Sequence, residues 1–303
     1  MTSAVSAASG EAGSPNSGWM AVMPVVFVIL WSTGFIVAKF GLPFAPPLTF
    51  LLLRFGGVSL LLLPMVLVMR APWPVGRVGD IALAGVLLHA GYIGGVWCAI
   101  KLGMPAGLAA LIAGMQPVLT AFAAPMIGER VQPRQWVGLM FGLGGVALVV
   151  SNKISLIGLS YSSIALCTMA LLSITAGTLY QKHRCAHFDL RTGTLIQYLA
   201  SAAVMLPLAI YFEHLDLAFT SVQWTPRFIG ALLWAIVVLS IGAVFLLFAL
   251  IRKSAATSVT SLLYLTPPTT ALMAWAMFGE FFSLIGMAGM VLAVIGVAFV
   301  VKK

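Results

Sequence analysis

The chain has 303 residues, of which 61% are hydrophobic and 8% are charged, and its formal net charge is +9. Soluble domains carry about 25% charged residues, so this composition excludes an ordinary water-soluble protein. A basic balance can indicate nucleic-acid binding, but here the cations follow the loops between apolar segments, and no nucleic-acid partner is expected.

Apolar segments of about 20 residues, the length of a membrane-spanning helix, follow one another along the chain. Residues 1–19 are rich in Ser, Ala and Gly and are predicted to form a disordered tail. Ten spans are predicted after it, at 21–39, 47–69, 81–100, 105–127, 135–151, 158–180, 192–212, 228–250, 255–278 and 283–301. Alternation typical of barrel strands is absent from the sequence, so the expected class is an all-α integral membrane protein.

The sequence of residues 114–150 is similar to the sequence of residues 265–301. A shift of 151 positions superposes a proline, a Gly-Glu pair and a spaced glycine: Pro117 on Pro268, Gly128-Glu129 on Gly279-Glu280, and Gly138 on Gly289. The pattern predicts two five-span repeats, at 20–151 and 152–303. Because five is odd, the second repeat enters the membrane inverted, and inverted repeats are typical of carriers that alternate between two open states.

Lysine and arginine are distributed unequally between the two sets of loops. With a cytoplasmic N-terminus, the cytoplasmic side holds Arg70, Arg77, Arg130, Arg134, Lys182, Arg184, Arg191, Arg252, Lys253, Lys302 and Lys303. The outer side holds only Lys39, Lys101, Lys153 and Arg227. This bias predicts a multi-pass protein of the cell inner membrane with both termini in the cytoplasm.

The matching prolines Pro117 and Pro268 lie midway along predicted spans. Proline within a membrane helix removes one hydrogen bond and frees a carbonyl, which is tolerated beside a cavity. Both are therefore predicted helix breaks next to a central site, with a simple packing kink as the alternative. Gln116 and Tyr264 supply polar groups at the same depth.

Arg54 lies about seven residues into the second predicted span. A charge in hydrocarbon is costly and usually faces the protein interior or a watery cavity. Arg54 would there bind a substrate carboxylate, and the alternative is an anchor that extends to the outer interface. The sequence places no Asp or Glu within a neighbouring predicted span to pair with it.

Further polar residues complete the predicted substrate site. His89 and Tyr92 are three residues apart and are expected to share a helix face, with His89 either a site residue or a satisfied core histidine. Gln197 occupies in the seventh span the place of Arg54 in the second, and Trp31 and Ser32 lie in the first span. Glycines at helical spacing are instead assigned to helix packing, as at Gly138, Gly142, Gly145, Gly289 and Gly296.

Three stretches and the repeated Gly-Glu pair resemble a known family. They are ILWSTGFIVAKFGL, FLLLRFGG and WCAIKLGMPAGLAALIAGMQPVLTAFAAPMIGE, in this order along the chain. They are similar to the EamA-type family of the drug/metabolite transporter superfamily, over about residues 20–301. The resemblance implies ten helices in two inverted repeats, cytoplasmic termini, and export or exchange of small metabolites such as amino acids.

The expected function is secondary transport of amino acids or related zwitterionic or anionic compounds. The partners would be this substrate and the lipid bilayer, and the chain would act as a monomer or homodimer. Facilitated diffusion or exchange is favoured over proton antiport through His89, because the predicted spans contain no acidic residue at mid-depth.

Two other functions remain open. A multidrug exporter would surround lipophilic cations with Trp31, Met115, Trp234 and Tyr264, although a buried carboxylate for the cation is absent from the sequence. A lipid-modifying membrane enzyme, the more distant alternative, would need a cluster of His, Asp or Glu at one interface, which the sequence does not contain. No cofactor or metal is expected, since the HRCAH segment at 183–187 has no further ligands nearby in the sequence.

Overall fold

The computed structural model describes residues 15–104, 109, 112–151, 160–185, 188–278 and 283–301. The helices are labelled in chain order: α1 (Pro15–Gly41), α2 (Pro47–Val68), α3 (Val78–Lys101), α4 (Gln116–Ile127), α5 (Pro133–Ser151), α6 (Tyr161–Arg184), α7 (Leu190–Glu213), α8 (Pro226–Lys253), α9 and α10 (Leu284–Val301). Helix α9 consists of three successive pieces, Ala256–Ser261, the 3-10 turn Leu262–Leu265, and Thr266–Phe278. Within these ranges there is no strand.

Six of these helices are long and apolar enough to cross a membrane: α2, α3, α6, α7, α8 and α10. Shorter apolar stretches occur at Val22–Ala38 in α1 and at Gln116–Ile127. The all-helical membrane class is thereby confirmed, whereas the count of ten spans stays a prediction. Helix α1 begins at Pro15, so the last residues of the stretch 1–19 are helical and are not part of the expected disordered tail.

Helices at corresponding positions of the two repeats pack on each other. Helix α5 lies against α10, α2 against α7, and α4 against α9. Two further contacts correspond between the repeats: α3 packs on α6, and α8 packs on α1. This is the contact pattern of a helical bundle with an internal twofold relationship, as the sequence repeat leads us to expect.

The contact between α5 and α10 is a close crossing of two backbones. A Cβ atom added at Gly145 would lie 2.4 Å from the backbone nitrogen of Ala293, and one added at Gly296 would lie 2.4 Å from that of Gly142. No side chain fits at such distances, so the glycines allow an approach that larger residues would prevent. Their predicted role in packing is confirmed.

The two ends of the bundle carry different contacts. At the distal end, the loops 42–46 and 214–225 meet, and Gln223 N donates to Phe44 O at 2.8 Å. The carboxylate of Glu213 there accepts hydrogen bonds from the backbone of Leu48 at 2.8 Å and of Thr49 at 2.7 Å. The first N–H groups of α2 are thus satisfied by the last residue of α7, in the favourable sense of the helix dipole. The opposite end, with the loop 69–77, is the proximal end.

We expect Gly145→Ala to destabilise the protein by about 1–3 kcal/mol, because the added methyl group must push the two backbones apart. The measurement is the midpoint of thermal unfolding in detergent. Gly56→Ala in α2 is the matched control, since a Cβ atom there meets nothing within 4 Å. Equal midpoints for the two variants would contradict the close crossing of α5 and α10.

Candidate functional site

A cavity of about 70 Å³ lies among α1, α2, α3 and α8, in the distal half of the bundle. We call it the distal cavity, and it is lined by Trp31, Gly34, Arg54, Tyr92, Ile93, Val96, Trp97 and Leu239. Arg54 is the one charged member of this lining, and the other walls are apolar or aromatic. The cavity therefore combines a single cation with surfaces suited to an apolar side chain.

Arg54 is held in place by neutral hydrogen-bonding groups. It is only 5% exposed, and its Nε donates to Ser240 Oγ at 2.9 Å. The Ser240 hydroxyl donates its own proton to Ala235 O at 2.8 Å, so its lone pairs are free to accept from Arg54. The hydroxyl of Tyr198 donates to the backbone oxygen of the same Ser240, at 3.5 Å.

The charge of Arg54 is not matched by a carboxylate of any described residue. An ion pair among the described residues joins Arg191 to Asp189, at 2.7 Å, at the start of α7. Burying an unpaired charge away from water costs free energy. This cost is offset where a group of opposite charge binds beside it. The guanidinium is thus available to an anionic group that enters the distal cavity.

A second, more enclosed cavity of about 10 Å³ lies nearer the proximal end. This proximal cavity is lined by Trp31, Leu88, His89, Gln116, Ile174, Thr178, Leu247, Val259, Thr260 and Leu263. Trp31 lines both cavities. His89 and Gln116 are almost fully buried here, at 2% and 1% exposure.

Two π-helical segments lie at closely corresponding places in the two repeats; the first borders both cavities and the second borders the distal cavity. They are Val86–Gly94 in α3 and Ala235–Ala243 in α8. Such segments are rare and are frequent at functional sites. The first carries His89 and Tyr92, which line different cavities. The expected common face of these two side chains stays a prediction.

The other three predicted site residues line neither of these two cavities. The hydroxyl of Ser32 donates to Val28 O at 2.6 Å within α1. Gln197 Nε2 donates to Gln181 Oε1 at 2.8 Å, in the contact between α6 and α7. The ring of Tyr264 packs against Gly142, and its hydroxyl has no hydrogen-bond partner among the described residues.

The two matching prolines follow helix interruptions. Pro117 lies in the first turn of α4, directly after the turn at Gly114 and Met115. Pro268 lies in the first turn of the last piece of α9, after the 3-10 turn. Proline is well accommodated in a first turn, where its missing N–H would have no intrahelical partner.

Sequence reasoning missed several residues of the site and included others that lie apart from it. Trp97, Thr178, Tyr198, Ser240 and Thr260 were not predicted, although Ser240 is the one hydroxyl in the run WAIVVLSIGAVFLLF. Of the aromatic and Met residues considered for a multidrug exporter, Trp234 donates to Thr33 Oγ1 at 3.0 Å, and Met115 is exposed. Neither of them lines the two cavities.

At the proximal end, charged side chains hold the turn between α8 and α9. Lys182 Nζ donates to Ile251 O at 2.7 Å and to Ser254 O at 2.6 Å. These carbonyls lie at the C-terminal end of α8, where they have no partner within the helix. The carboxylate of Glu129 accepts from Ala256 N at 2.9 Å, at the start of α9. Each charge has the sign that the helix dipole favours. We call these contacts the proximal latch.

The latch joins the two repeats, because Glu129 belongs to the first and Ala256 to the second. Gly128 has a φ of 80°, a left-handed conformation that ends α4 and that glycine adopts without strain. The Gly-Glu pair thus ends one helix and caps another. The equivalent pair, Gly279-Glu280, lies outside the described residues.

An all-helical membrane fold of two repeats, with cavities among its helices, is an architecture that solute carriers use. The EamA-like transporter family matches the chain twice, over residues 18–151 and 161–302. The chain therefore belongs to this family and is a membrane transporter.

Known proteins similar to the chain are bacterial transporters. The chain is 28% identical to the uncharacterized transporter YvbV of Bacillus subtilis, over 93% of this chain and 92% of that protein. It is 30% identical to a probable amino-acid metabolite efflux pump of Salmonella typhimurium, over 57% and 56%. It is 27% identical to the uncharacterized inner membrane transporter YedA of Escherichia coli K12, over 83% and 80%.

Among solved structures, a crystal structure of a protein superposes with a TM-score of 0.73, over 93% of this chain and 97% of the other. The two sequences are 20% identical. At this level the likeness shows a shared fold alone.

We expect Glu129→Ala to open the proximal end. The change leaves the Ala256 N–H without its acceptor, which costs about 1–3 kcal/mol in the conformation that the latch holds closed. The population of molecules with an open proximal end should therefore rise about tenfold. The measurement is thiol labelling of a cysteine introduced at Thr260, which is 2% exposed and lines the proximal cavity. Labelling of the parent protein, which contains Cys98, Cys167 and Cys185, is subtracted.

Two controls accompany this measurement. Glu129→Gln retains an acceptor oxygen and should label more slowly than Glu129→Ala. Glu213→Ala removes the corresponding cap at the distal end and should leave labelling at position 260 unchanged. Unaltered labelling in Glu129→Ala would show that the latch does not control access to the proximal cavity.

Proposed function

We propose that this transporter carries amino acids, or closely related zwitterionic or anionic metabolites, across the cell inner membrane by alternating access. The observation that carries this proposal is the buried guanidinium of Arg54, which lines the distal cavity and has no described carboxylate as its partner. An incoming carboxylate would form a charge-assisted bond there, of a kind stronger than a neutral hydrogen bond.

The remaining lining supports the same class of substrate. Trp31, Val96, Trp97 and Leu239 surround the guanidinium with apolar surface, which suits the side chain of an amino acid. A lipophilic cation would instead be repelled by Arg54. The name of the Salmonella typhimurium relative, a probable amino-acid metabolite efflux pump, agrees with this class.

The proposed orientation places the distal end outside the cell and both termini in the cytoplasm. It rests on the greater number of lysines and arginines in the loops of the proximal end, which the positive-inside rule assigns to the cytoplasm. The repeats divide near residue 151, and five spans in each would relate them by inversion. The name of the Escherichia coli relative YedA supports an inner membrane location.

During alternating access, the contacts of the proximal latch would break and the proximal end would open. In this conformation Glu129 and Lys182 hold the turn between α8 and α9, and the proximal cavity has room for little more than a water molecule. The distal cavity is larger and less enclosed. Both features are expected of a carrier that faces outward, with the glycine crossing of α5 and α10 holding its repeats together.

Transport is proposed to be facilitated diffusion or exchange. The residues that line the two cavities include no acidic side chain, and His89 is the single group among them that titrates near neutral pH in water. A proton-coupled carrier usually keeps a carboxylate or a histidine in its pathway. Antiport of protons through His89 is therefore the second mechanism to test.

We expect Arg54→Ala to weaken binding of an amino-acid substrate by about tenfold or more, because one charge-assisted contact of about 1.5–3 kcal/mol is lost. Arg54→Lys keeps the positive charge but lacks the planar, forked donor group of arginine. Its affinity for the substrate should therefore lie between those of the parent and of Arg54→Ala. The measurement is a titration of purified protein with L-leucine and other L-amino acids, followed by uptake of the tightest binder into proteoliposomes.

Arg227→Ala is the matched control for this experiment, since Arg227 is exposed at the start of α8 and lines neither cavity. Its binding and uptake should equal those of the parent. If Arg54→Ala bound and transported like the parent at matched abundance, Arg54 would be a structural anchor and the proposed carboxylate site would be wrong.

We expect proteoliposomes with equal pH on both sides to support substrate flux down its gradient. An imposed pH gradient should change the initial rate by less than about twofold, because the uncoupled mechanism moves no proton with the substrate. His89→Gln should respond in the same way. Flux that strictly required the pH gradient, and lost this requirement in His89→Gln, would establish proton coupling instead.

A further inference from the structure

The proximal cavity is small and buried, and a few polar groups lie among its mostly apolar walls. Its volume of about 10 Å³ accommodates one water-sized group, and an ammonium group is of similar size. The lining carries hydrogen-bonding groups on Gln116, His89, Thr178 and Thr260, and no charged residue. The proton states of these groups decide what the cavity can bind.

The amide of Gln116 presents an acceptor to the cavity. Thr178 Oγ1 donates its one proton to Ile174 O at 2.8 Å, so it can only accept from Gln116 Nε2, which lies 3.1 Å away. This fixes the orientation of the amide. Gln116 Oε1 is left buried and without a hydrogen-bond partner among the described residues. A buried acceptor in this state costs stability until a donor reaches it.

His89 adds a second acceptor. Its ring stacks on that of Tyr198 with centroids 4.5 Å apart, which fixes its plane, and its Nε2 is buried and has no described partner. With the proton of the neutral imidazole on Nδ1, Nε2 accepts a hydrogen bond. Thr260 donates its hydroxyl proton to Thr257 O at 3.2 Å, which leaves its lone pairs as a third acceptor.

The two cavities therefore have opposite hydrogen-bonding character. The distal cavity presents the donors of Arg54, and the proximal cavity presents acceptors. They lie close together, because Trp31 lines both, and because Tyr198, which stacks on His89, donates to the backbone oxygen of Ser240, the residue whose hydroxyl accepts from Arg54. A small molecule with an acceptor at one end and a donor at the other matches this arrangement.

We propose that the proximal cavity binds the ammonium group of the substrate, with Gln116 Oε1 and His89 Nε2 as its acceptors, while Arg54 binds the carboxylate. This rests on the proposed function and narrows it to compounds that carry both groups. The three N–H donors of an ammonium group equal in number the three acceptors of the cavity. An anion that lacks the ammonium group leaves these acceptors unsatisfied or hydrated.

The test compares L-leucine, L-threonine and L-phenylalanine, each with the carboxylic acid that lacks only its amino group. Dissociation constants are measured by calorimetry on the purified full-length protein. We expect the parent protein to prefer the amino acid by about tenfold or more. Gln116→Leu should reduce this preference about tenfold, and Gln116→Glu, which places a carboxylate at the cavity, should increase it.

The control variant is Gln181→Leu, which removes a buried amide that lines neither cavity. It should keep the preference of the parent even if its stability falls, because a ratio of two affinities in one variant is insensitive to the folded fraction. Arg54→Ala should weaken both members of each pair.

Two results would overturn the inference and leave the proposed function standing. One is equal affinity of the parent for the amino acid and its des-amino analogue, both dependent on Arg54, in which case the proximal cavity holds only water. The other is a preference that persists unchanged in Gln116→Leu and in His89→Phe. If none of the six compounds bound to the parent, the carboxylate site and the ammonium site would both be wrong.

Discussion

The buried charge of Arg54 is the constraint on which the central part of the molecule depends. A guanidinium enclosed by apolar helices must find neutral acceptors or an anion, because water is largely excluded there. Ser240 supplies an acceptor from the π segment of α8, and Tyr198 of α7 donates to the backbone oxygen of the same Ser240. Three helices of the bundle are thus fixed around one charge, and the side of the guanidinium that they leave open faces the distal cavity.

Around this centre the two repeats make contacts of two different kinds. Helices α5 and α10 cross at glycines, with backbone atoms in direct contact, and such a contact has little freedom to slide. At the bundle ends the helices are joined by charges that cap helix termini, namely Glu213 at the distal end and Glu129 with Lys182 at the proximal end. Caps of this kind can be exchanged for water at modest cost, which is suitable for contacts that break during transport.

Much of the fold could be predicted from the sequence, and rather less of the site. The apolar segments, the repeat and the glycine stripe are properties of composition and spacing, and each has a direct structural meaning. Arg54 could be singled out because a charge in an apolar segment is conspicuous. Ser32, Gln197 and Tyr264 looked equally suitable, but Ser32 bonds within its own helix, Gln197 bonds to Gln181, and Tyr264 packs against Gly142. Residues distant in sequence, such as Ser240 and Thr260, were missed because local patterns carry no information about which helix they face.

The sequence by itself determined that the chain is a helical membrane protein built from two related halves with one charge buried among apolar segments. Only the tertiary structure decided that this charge meets Ser240, that Trp31 lines two cavities, and that Glu129 caps a helix of the other repeat. The physical reason is that hydrophobicity and spacing act along one helix, whereas the orientation of a buried polar group depends on partners from several helices. His89 and Tyr92 show this most clearly, since they lie three residues apart in one π segment and line different cavities.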